Sequence, residues 1–267
     1  MNEQPYLSLV IPAYNEQENV EMLLSRVGAA LALTGRPFEV IIVDDGSSDD
    51  TPRLLAEGMG KYPWLRVLRM GKNGGQSAAF DAGFKAARGE VIATIDADLQ
   101  NDPEEIPRLL PMLEGNAPAE GNSAGVPAAG AAAIGGAGGV GGVDMISGWR
   151  KDRKDTKFRR LQTRIANRIR NWISDENIND SASSLKLYRR HCLAGLQMYN
   201  GMHRFMPTLV KMRGYTVVEE PVKHSPRYAG TAKYGFRNRA LRAFVDLLAV
   251  RWMKKRYLRY QVGEIKR

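Results

Sequence analysis

The sequence predicts an α/β fold, a mostly parallel sheet with flanking helices, continued towards the C-terminus by basic amphipathic helices. Three observations predict it. Short apolar, β-rich runs alternate with helical patterns through the first hundred residues, the signature of parallel strands joined by crossover helices. Several of these runs end in acidic residues, at the carboxyl ends where open α/β sheets bind ligands. The charge is also divided, with 10 Lys and Arg against 20 Asp and Glu from Met1 to Trp149, and 29 against 9 from Arg150 to Arg267.

Taken in order, Leu7 to Ala13 reads as the first strand, and Val20, Leu23, Leu24, Val27 and Leu31 fall at helical spacing behind it. Glu39 to Asp44 is the second strand and Thr51 to Met59 its helix. Arg66 to Met70 and Val91 to Ile95 are two more strands, separated by "GKNGG" and a helix from Gln76 to Ala87. Pro103 begins a further helix. Asn116 to Gly142 is almost wholly Ala, Gly, Pro and Ser; such a segment buries too little apolar surface to offset its ordering entropy, so a flexible insertion is expected. "VDMISGWR" then reads as a last strand running into a loop.

Two cationic helical patterns follow. Phe158, Leu161, Ile165, Ile169, Trp172 and Ile173 form an apolar stripe expected to pack on the sheet. Phe236 to Tyr260 has a similar stripe ending in a Lys/Arg cluster with Trp252, Tyr257 and Tyr260, which suits a membrane interface as well as it suits packing. The expected division is one α/β domain over 1–235, carrying the insertion at 116–142, and a membrane-associating basic segment over 236–267.

At 267 residues the chain can bury a substantial core. Its one cysteine, Cys192, cannot form an internal disulfide, and the N-terminus lacks a signal-peptide pattern. No stretch approaches the roughly 20 apolar residues of a spanning helix. These features predict a cytoplasmic protein, peripheral on the inner face of the membrane. A second half so basic calls for an anionic partner: nucleic acid, acidic lipid headgroups or a phosphate-bearing substrate.

The chemistry is concentrated in "IATIDADLQNDPEE". If the chain stays extended, Asp96 and Asp98 share a face and their carboxylates meet at one point. A divalent cation offsets their repulsion, and carboxylate oxygens suit Mg2+ or Mn2+; a solvated acidic turn capping the next helix is the plain alternative. "VIPAYNE" and "VDDGSSDDT" end two other strands. Asn15 or Asp49 as helix caps and Gly46 as a left-handed turn residue would explain them structurally, while Asp44 could also accept hydrogen bonds from a base or ribose.

Together with "NGGQSAAFDAGFKAARGEVIATIDADLQNDPEEI", "SGWRKDR", "HRFMPTL" and "HSPRYAGTAKYG", these blocks resemble the family 2 glycosyltransferases that act on polyprenyl phosphates, the dolichyl-phosphate mannose synthase-like branch. The resemblance implies a GT-A, Rossmann-like fold and inverting transfer of a sugar from GDP-mannose or a UDP-sugar to a dolichyl or undecaprenyl phosphate. It implies that Pro12, Tyr14 and Glu16 line the nucleotide pocket, that Asp44 contacts the base, and that Asp96, Asp98 and Gln100 hold donor and metal, with Asp98 and Gln100 as direct ligands. Arg227 and Lys233 would close over the diphosphate, and Arg150 and Arg153 would engage the acceptor phosphate. Asp180, where hydroxyl-acceptor relatives keep a catalytic Asp, is assigned positioning, and His203 and His224 supporting roles.

Two departures stand out: the chain stops before the spanning helices of many bacterial members, which leaves room for a separate membrane subunit, and Ala232 replaces the Ser usual before the flap lysine. Competing readings are a hydroxyl-acceptor enzyme of the same fold, which needs a general base, and a nucleic-acid-binding module, against which stands the lack of any nucleic-acid motif in the cationic segments.

Overall fold

The computed structural model describes residues 4–115, 142–150, 178–180, 183–226, 228 and 236–258, with backbone alone at 236–243. Seven strands form one sheet: β1 (Leu7–Ala13), β2 (Phe38–Asp44), β3 (Leu65–Arg69), β4 (Val91–Thr94), β5 (Met145–Trp149), β6 (Lys186–Arg189) and β7 (Val217–Pro221), in the order β3-β2-β1-β4-β6-β5-β7. β3, β2, β1 and β4 run parallel, β6 is antiparallel to both β4 and β5, and β7 returns parallel to β5. The helices are α1 (Val20–Ala32), α2 (Thr51–Lys61), α3 (Gln76–Ala86), α4 (Glu105–Leu113), α5 (Met206–Met212) and α6 (Phe236–Arg256).

The unbroken apolar runs of β1 and β2 follow from burial on both faces. Leu7, Leu9, Ile11, Val40 and Ile42 face one core layer with α1, Leu55 of α2 and α4, while Val10, Ile41 and Val43 face the other with α3 and α5. The period of two thus places alternate residues in different layers. Close approach sets α3: a Cβ on Gly83 would lie 2.2 Å from Val10 Cγ1, so only glycine lets the helix rest on β1.

The parallel half and its helices lie where the sequence predicts them, within one or two residues. The "last strand", β5, is not the last, since β6 and β7 flank it. β6 is missed because its four residues include Lys186 and Arg189, and β7 because "VVEEP" lacks apolar alternation. The chain also does not stay extended through Asp98: β4 ends at Thr94, and residues 97–99 turn with Leu99 at φ +59°. The insertion as far as residue 141 and the predicted helix around Phe158 to Ile173 lie outside the described residues.

Glu39 shows how the opposite, amino-terminal end of the strands is secured. Its side chain is buried and accepts from Ser8 Oγ (2.7 Å), Arg66 Nη1 (2.6 Å), the Arg88 backbone N–H (2.8 Å) and the Arg88 guanidinium (2.8 and 3.0 Å). Burial alone would raise its pKa, but these donors outweigh it and hold the carboxyl below its usual range.

Candidate active site

Three loops meet at the carboxyl ends of β1 and β2. Asn15, at φ +52°, donates its N–H to Ser47 Oγ (2.8 Å) and accepts from Ser48 N–H (2.8 Å). The N–H of Glu16 reaches Thr51 Oγ1 (2.8 Å), and Asn19 Nδ2 donates to the Glu16 carboxylate (2.6 Å). Asp45 accepts from Gly74 N–H (2.7 Å) and Gly75 N–H (2.9 Å), while Asn73 Nδ2 donates to the Asp45 carbonyl (3.1 Å). Gly46 makes this possible: its φ is +72°, and a Cβ there would stand 2.8 Å from Asn73 N. The "AYNE", "DDGSSDDT" and "GKNGG" segments therefore form one hydrogen-bonded rim.

Pro12, Tyr14 and Glu16 are half-buried along that rim. Asp44 is fully enclosed: Oδ1 accepts from Ser47 N–H (2.9 Å), and Oδ2 lies 3.4 Å from Arg69 Nε. The Arg69 side chain beside Oδ2 is itself 64% exposed.

A second group lies at the end of β4. Gln76, the first residue of α3, donates to Asp96 Oδ1 (2.8 Å), joining the glycine loop to the acidic turn. Asp98 is buried and accepts from the Gln100 N–H (3.1 Å). The left-handed Leu99 between them is a costly conformation for a side chain locked in the core, as strained turns at functional sites are. Burial, with the charge of Asp98 added, pushes Asp96 up to about 6. Asp96 and Asp98 are thus neighbouring carboxylates, and carboxylate oxygens are ligands that suit Mg2+ or Mn2+.

The antiparallel half closes around this turn. Thr94 Oγ1 donates to Ser184 O (2.6 Å) and Asn101 Nδ2 to Ser184 Oγ (2.6 Å). Ser225 N–H bonds the Gln100 carbonyl (2.9 Å) and His224 pairs with Asn101 across a β-bridge, so the base of the "HSPRYAGTAKYG" segment rests on the acidic turn. Arg150 grips Asp180 with Nε and Nη2 (2.6 and 2.9 Å), each side chain largely buried. His203 Nδ1 shares a hydrogen bond with Ser77 Oγ (2.7 Å). Arg153, Arg227 and Lys233 lie outside the described residues.

A pocket of about 90 Å³ opens beside Asp96 on the α3 and α5 face, with Phe80, Phe84 and Tyr188 on one wall and Lys186, His203 and Arg204 among its polar residues. The sequence reading missed Lys186 and Arg204 as pocket residues. The signal was present in "SLKLY": with Leu185 and Leu187 in one core layer, alternation forces Lys186 and Tyr188 towards the other. Away from this site, Asp144, His191 and Cys192 cluster within 4.8 Å. Burial and Asp144 push the thiol up to about 12, and it donates to the Asp144 carbonyl (3.4 Å), which marks a protonated, structural cysteine.

Comparison with known proteins agrees with this geometry. The sequence pattern described as "Glycosyl transferase family 2" matches residues 8–123. A dodecaprenyl-phosphate galacturonate synthase of Rhizobium johnstonii is 35% identical over 96% of this chain and 68% of its own length. The chain belongs to glycosyltransferase family 2. An undecaprenyl-phosphate 4-deoxy-4-formamido-L-arabinose transferase of Klebsiella pneumoniae is also 35% identical, over 86% of this chain, which spans 63% of that relative's length. Among solved structures, glucosyl-3-phosphoglycerate synthase of Mycobacterium tuberculosis, in complex with Mn2+, UDP and phosphoglyceric acid, shares the fold with a TM-score of 0.62 at 15% identity, over 94% of this chain and 78% of that one. A mannosyltransferase of Pyrobaculum calidifontis, in complex with GDP-Man and Mn2+, aligns with a TM-score of 0.54 at 17% identity, over 95% and 71%. The expected GT-A fold of this family 2 enzyme is thus borne out, and its parallel half and acidic turn are the parts that the sequence motifs mark.

Proposed function

We propose that this family 2 enzyme transfers a sugar, with inversion, from a nucleoside diphosphate sugar to a polyprenyl phosphate at the membrane surface. The observation that carries the reading is the convergence of Asp96, Asp98 and Gln100 at the end of β4, with Arg150 and Lys186 on the antiparallel side of the same end. The likeness over almost the whole chain to a dodecaprenyl-phosphate galacturonate synthase supports the acceptor class. Neither that name nor the formamido-arabinose transferase's carries mannose or dolichol, so the sugar is not inherited from the resemblance.

In this reading the rim tied by Asn15, Asp45 and Gly46 holds the nucleotide, with Asp44 towards the base and Pro12, Tyr14 and Glu16 along the pocket. Asp98 and Gln100 would hold Mg2+ or Mn2+, which would supply positive charge against the departing diphosphate. Asp96, oriented by Gln76, holds the donor. Arg227 and Lys233 close over the diphosphate, and Arg150 and Arg153 receive the acceptor phosphate. That phosphate, with a second pKa of about 6, is already largely dianionic near neutrality and attacks without a strong base. Asp180, bound to Arg150 at both oxygens, then serves as a positioning residue.

No helix among the described residues is long and apolar enough to cross a membrane. α6 instead carries apolar residues on two sides. Leu247 and Val250 are buried with Phe205, while Phe244, Val245, Leu248 and Trp252 are exposed on the other side beside Lys255 and Arg256. We assign that exposed face to an anionic membrane surface, peripheral on its inner side, with 236–267 as the associating segment. Co-sedimentation with phosphatidylglycerol vesicles, but not with phosphatidylcholine vesicles, is the expected result, and replacing Trp252 by Glu should abolish it. A requirement for a separate membrane subunit would appear as absence of vesicle binding by the chain alone.

The function is tested by supplying a short-chain polyprenyl phosphate with a panel of GDP- and UDP-sugars and Mn2+ or Mg2+. Formation of a lipid-linked sugar, dependent on metal, is expected. Transfer to sugar hydroxyls and none to the phosphate would overturn the acceptor assignment.

A further inference from the structure

We propose that Lys186 and the hydroxyl of Ser183 bind the acceptor phosphate in the pocket beside Asp96, on the side of the acidic turn away from the nucleotide rim. This rests on the polyprenyl-phosphate reading above and adds to it a binding group that the sequence motifs do not mark.

The register of the sheet places the residue. Thr94 on β4, Lys186 on β6 and Ser147 on β5 lie opposite one another, and residues directly opposite in paired strands project from the same face. That face is the α3 and α5 side, because Met145 and Tyr188, two residues along the same strands, belong to its core layer. Lys186 is 3% exposed and lines the pocket with Thr94 and Ser183. An ammonium carries three donors, and one of them goes to the Ser183 carbonyl. Asp180 and Asp96 act on it through their charge alone, and Arg150 is near enough to work against it. Burial lowers its pKa to about 8, so it stays mostly charged at neutral pH.

A second, independent observation points into the same space. Ser183 Oγ is fully buried in a residue that lines the pocket, and it has no hydrogen-bond partner. Ser147 Oγ, across from Lys186, is buried and unpartnered in the same way. An unsatisfied buried hydroxyl is costly, and a ligand oxygen is the partner that would satisfy it. An ammonium beside free hydroxyl donors is a set that suits an oxyanion, with charge-assisted hydrogen bonds to several of its oxygens. Phe80 and Phe84 line the same pocket, so a phosphate carried on a hydrocarbon chain meets donors at one end and apolar surface at the other.

The strand order gives the direction of attack. The nucleotide rim stands on β1 and β2, the acidic turn follows β4, Lys186 is on β6 and Arg150 directly follows β5. Inversion needs the attacking oxygen on the face of the anomeric carbon opposite the departing diphosphate. The order β2-β1-β4-β6-β5 lays nucleotide, acidic turn and acceptor cations out in that sequence. The attacking phosphate oxygen is already ionised, so Lys186 keeps its proton throughout.

The test compares Lys186→Met, Lys186→Arg and Ser183→Ala with the wild type. Transfer to a short-chain polyprenyl phosphate is measured with the GDP- or UDP-sugar that the wild type accepts, and binding of the matching nucleoside diphosphate with Mn2+ is measured by calorimetry. The KM for the lipid should rise about 100-fold in Lys186→Met and about 10-fold in Ser183→Ala, with nucleotide affinity unchanged and Lys186→Arg in between. Ser183→Ala should also keep its urea midpoint, since the hydroxyl it removes makes no bond in the protein, so it decides the matter even if Lys186→Met fails to fold. Inorganic phosphate should compete with the lipid in the wild type and less so in Lys186→Met. A lost nucleotide affinity with the lipid KM unchanged assigns Lys186 to the donor diphosphate and overturns the proposal, as does a lipid KM unchanged in every variant. Failure of the underlying reading shows in the wild type alone: transfer to sugar hydroxyls and none to the phosphate removes that reading and this proposal with it.

Discussion

The two ends of the sheet each bury carboxylates, and they treat them in opposite ways. At the amino-terminal end, Glu39 is surrounded by donors from Ser8, Arg66 and Arg88, and its pKa is held low. At the carboxyl end, Asp96 receives Gln76 but faces the charge of Asp98, and burial pushes it up to about 6. The first arrangement is complete within the protein and stabilises it. In the second, the repulsion of two neighbouring carboxylates adds to the cost of burial, and a divalent cation would offset it. The difference teaches how to separate structural acids from functional ones in this fold: by whether the surrounding donors outweigh burial and the charge of neighbouring acids.

The largest effect expected from this contrast is on catalysis. Asp98→Ala should lower kcat for lipid-linked sugar formation by about 10³-fold or more, because it removes a proposed metal ligand. Its urea unfolding midpoint in the absence of metal should be unchanged or higher, since a repelling charge is gone. Glu39→Gln should do the reverse. It weakens a buried, charge-assisted network and should cost about 2–3 kcal/mol of stability in urea, with kcat at low temperature close to wild type. A large loss of kcat in Glu39→Gln with stability intact would break the comparison.

The parallel half was legible in the sequence because both of its signals are local. Strands buried on two faces read as continuous apolar runs, and acids directly after such runs mark the carboxyl ends. The antiparallel half was less legible. β6 and β7 carry Lys186, Arg189, Glu219 and Glu220 among four or five residues each, and they are strands only because β4 and β5 offer edges for them to pair with. The pocket was hidden for the same reason: Lys186, Arg204 and Gln76 come from distant segments that the topology alone brings together. Asp45 was visible as an acid at a strand end, but its role in holding the Gly74 and Gly75 amides depends on a tertiary contact.

A finer test uses pH, where the two ends have opposite signs. Asp96 has a raised folded pKa, so in metal-free protein stability is lost as pH rises from its unfolded value near 4 through about 6. Glu39 has a lowered one, so its contribution is present above its unfolded value and is lost as pH falls through the folded pKa. Unfolding measured without metal should therefore show a decline on the order of 3 kcal/mol between about pH 4 and 7 that is absent in Asp96→Asn. Mn2+ should flatten the same decline in the wild type. If Asp96→Asn leaves the profile unchanged, the carboxylates are not in the strained state that the contrast requires.

The smallest expected effect concerns the acid that belongs to neither class. Asp180 lies at the carboxyl end like the raised Asp96, yet Arg150 binds both of its oxygens at 2.6 and 2.9 Å. By the criterion drawn from Glu39 it should be a positioning residue, holding the guanidinium of Arg150 for the acceptor phosphate. Arg150→Lys keeps the charge but loses the two-pronged geometry, so it should cost about 1 kcal/mol of stability and raise the KM for polyprenyl phosphate more than it lowers kcat. Asp180→Asn should behave likewise, with donor binding and most of kcat retained. Were Asp180→Asn instead to abolish turnover while sparing donor binding, the carboxylate would be acting as a general base. A base is needed by a hydroxyl acceptor and not by a phosphate, so that one result would move the enzyme to the other acceptor class even with the fold, the metal ligands and the donor pocket unchanged.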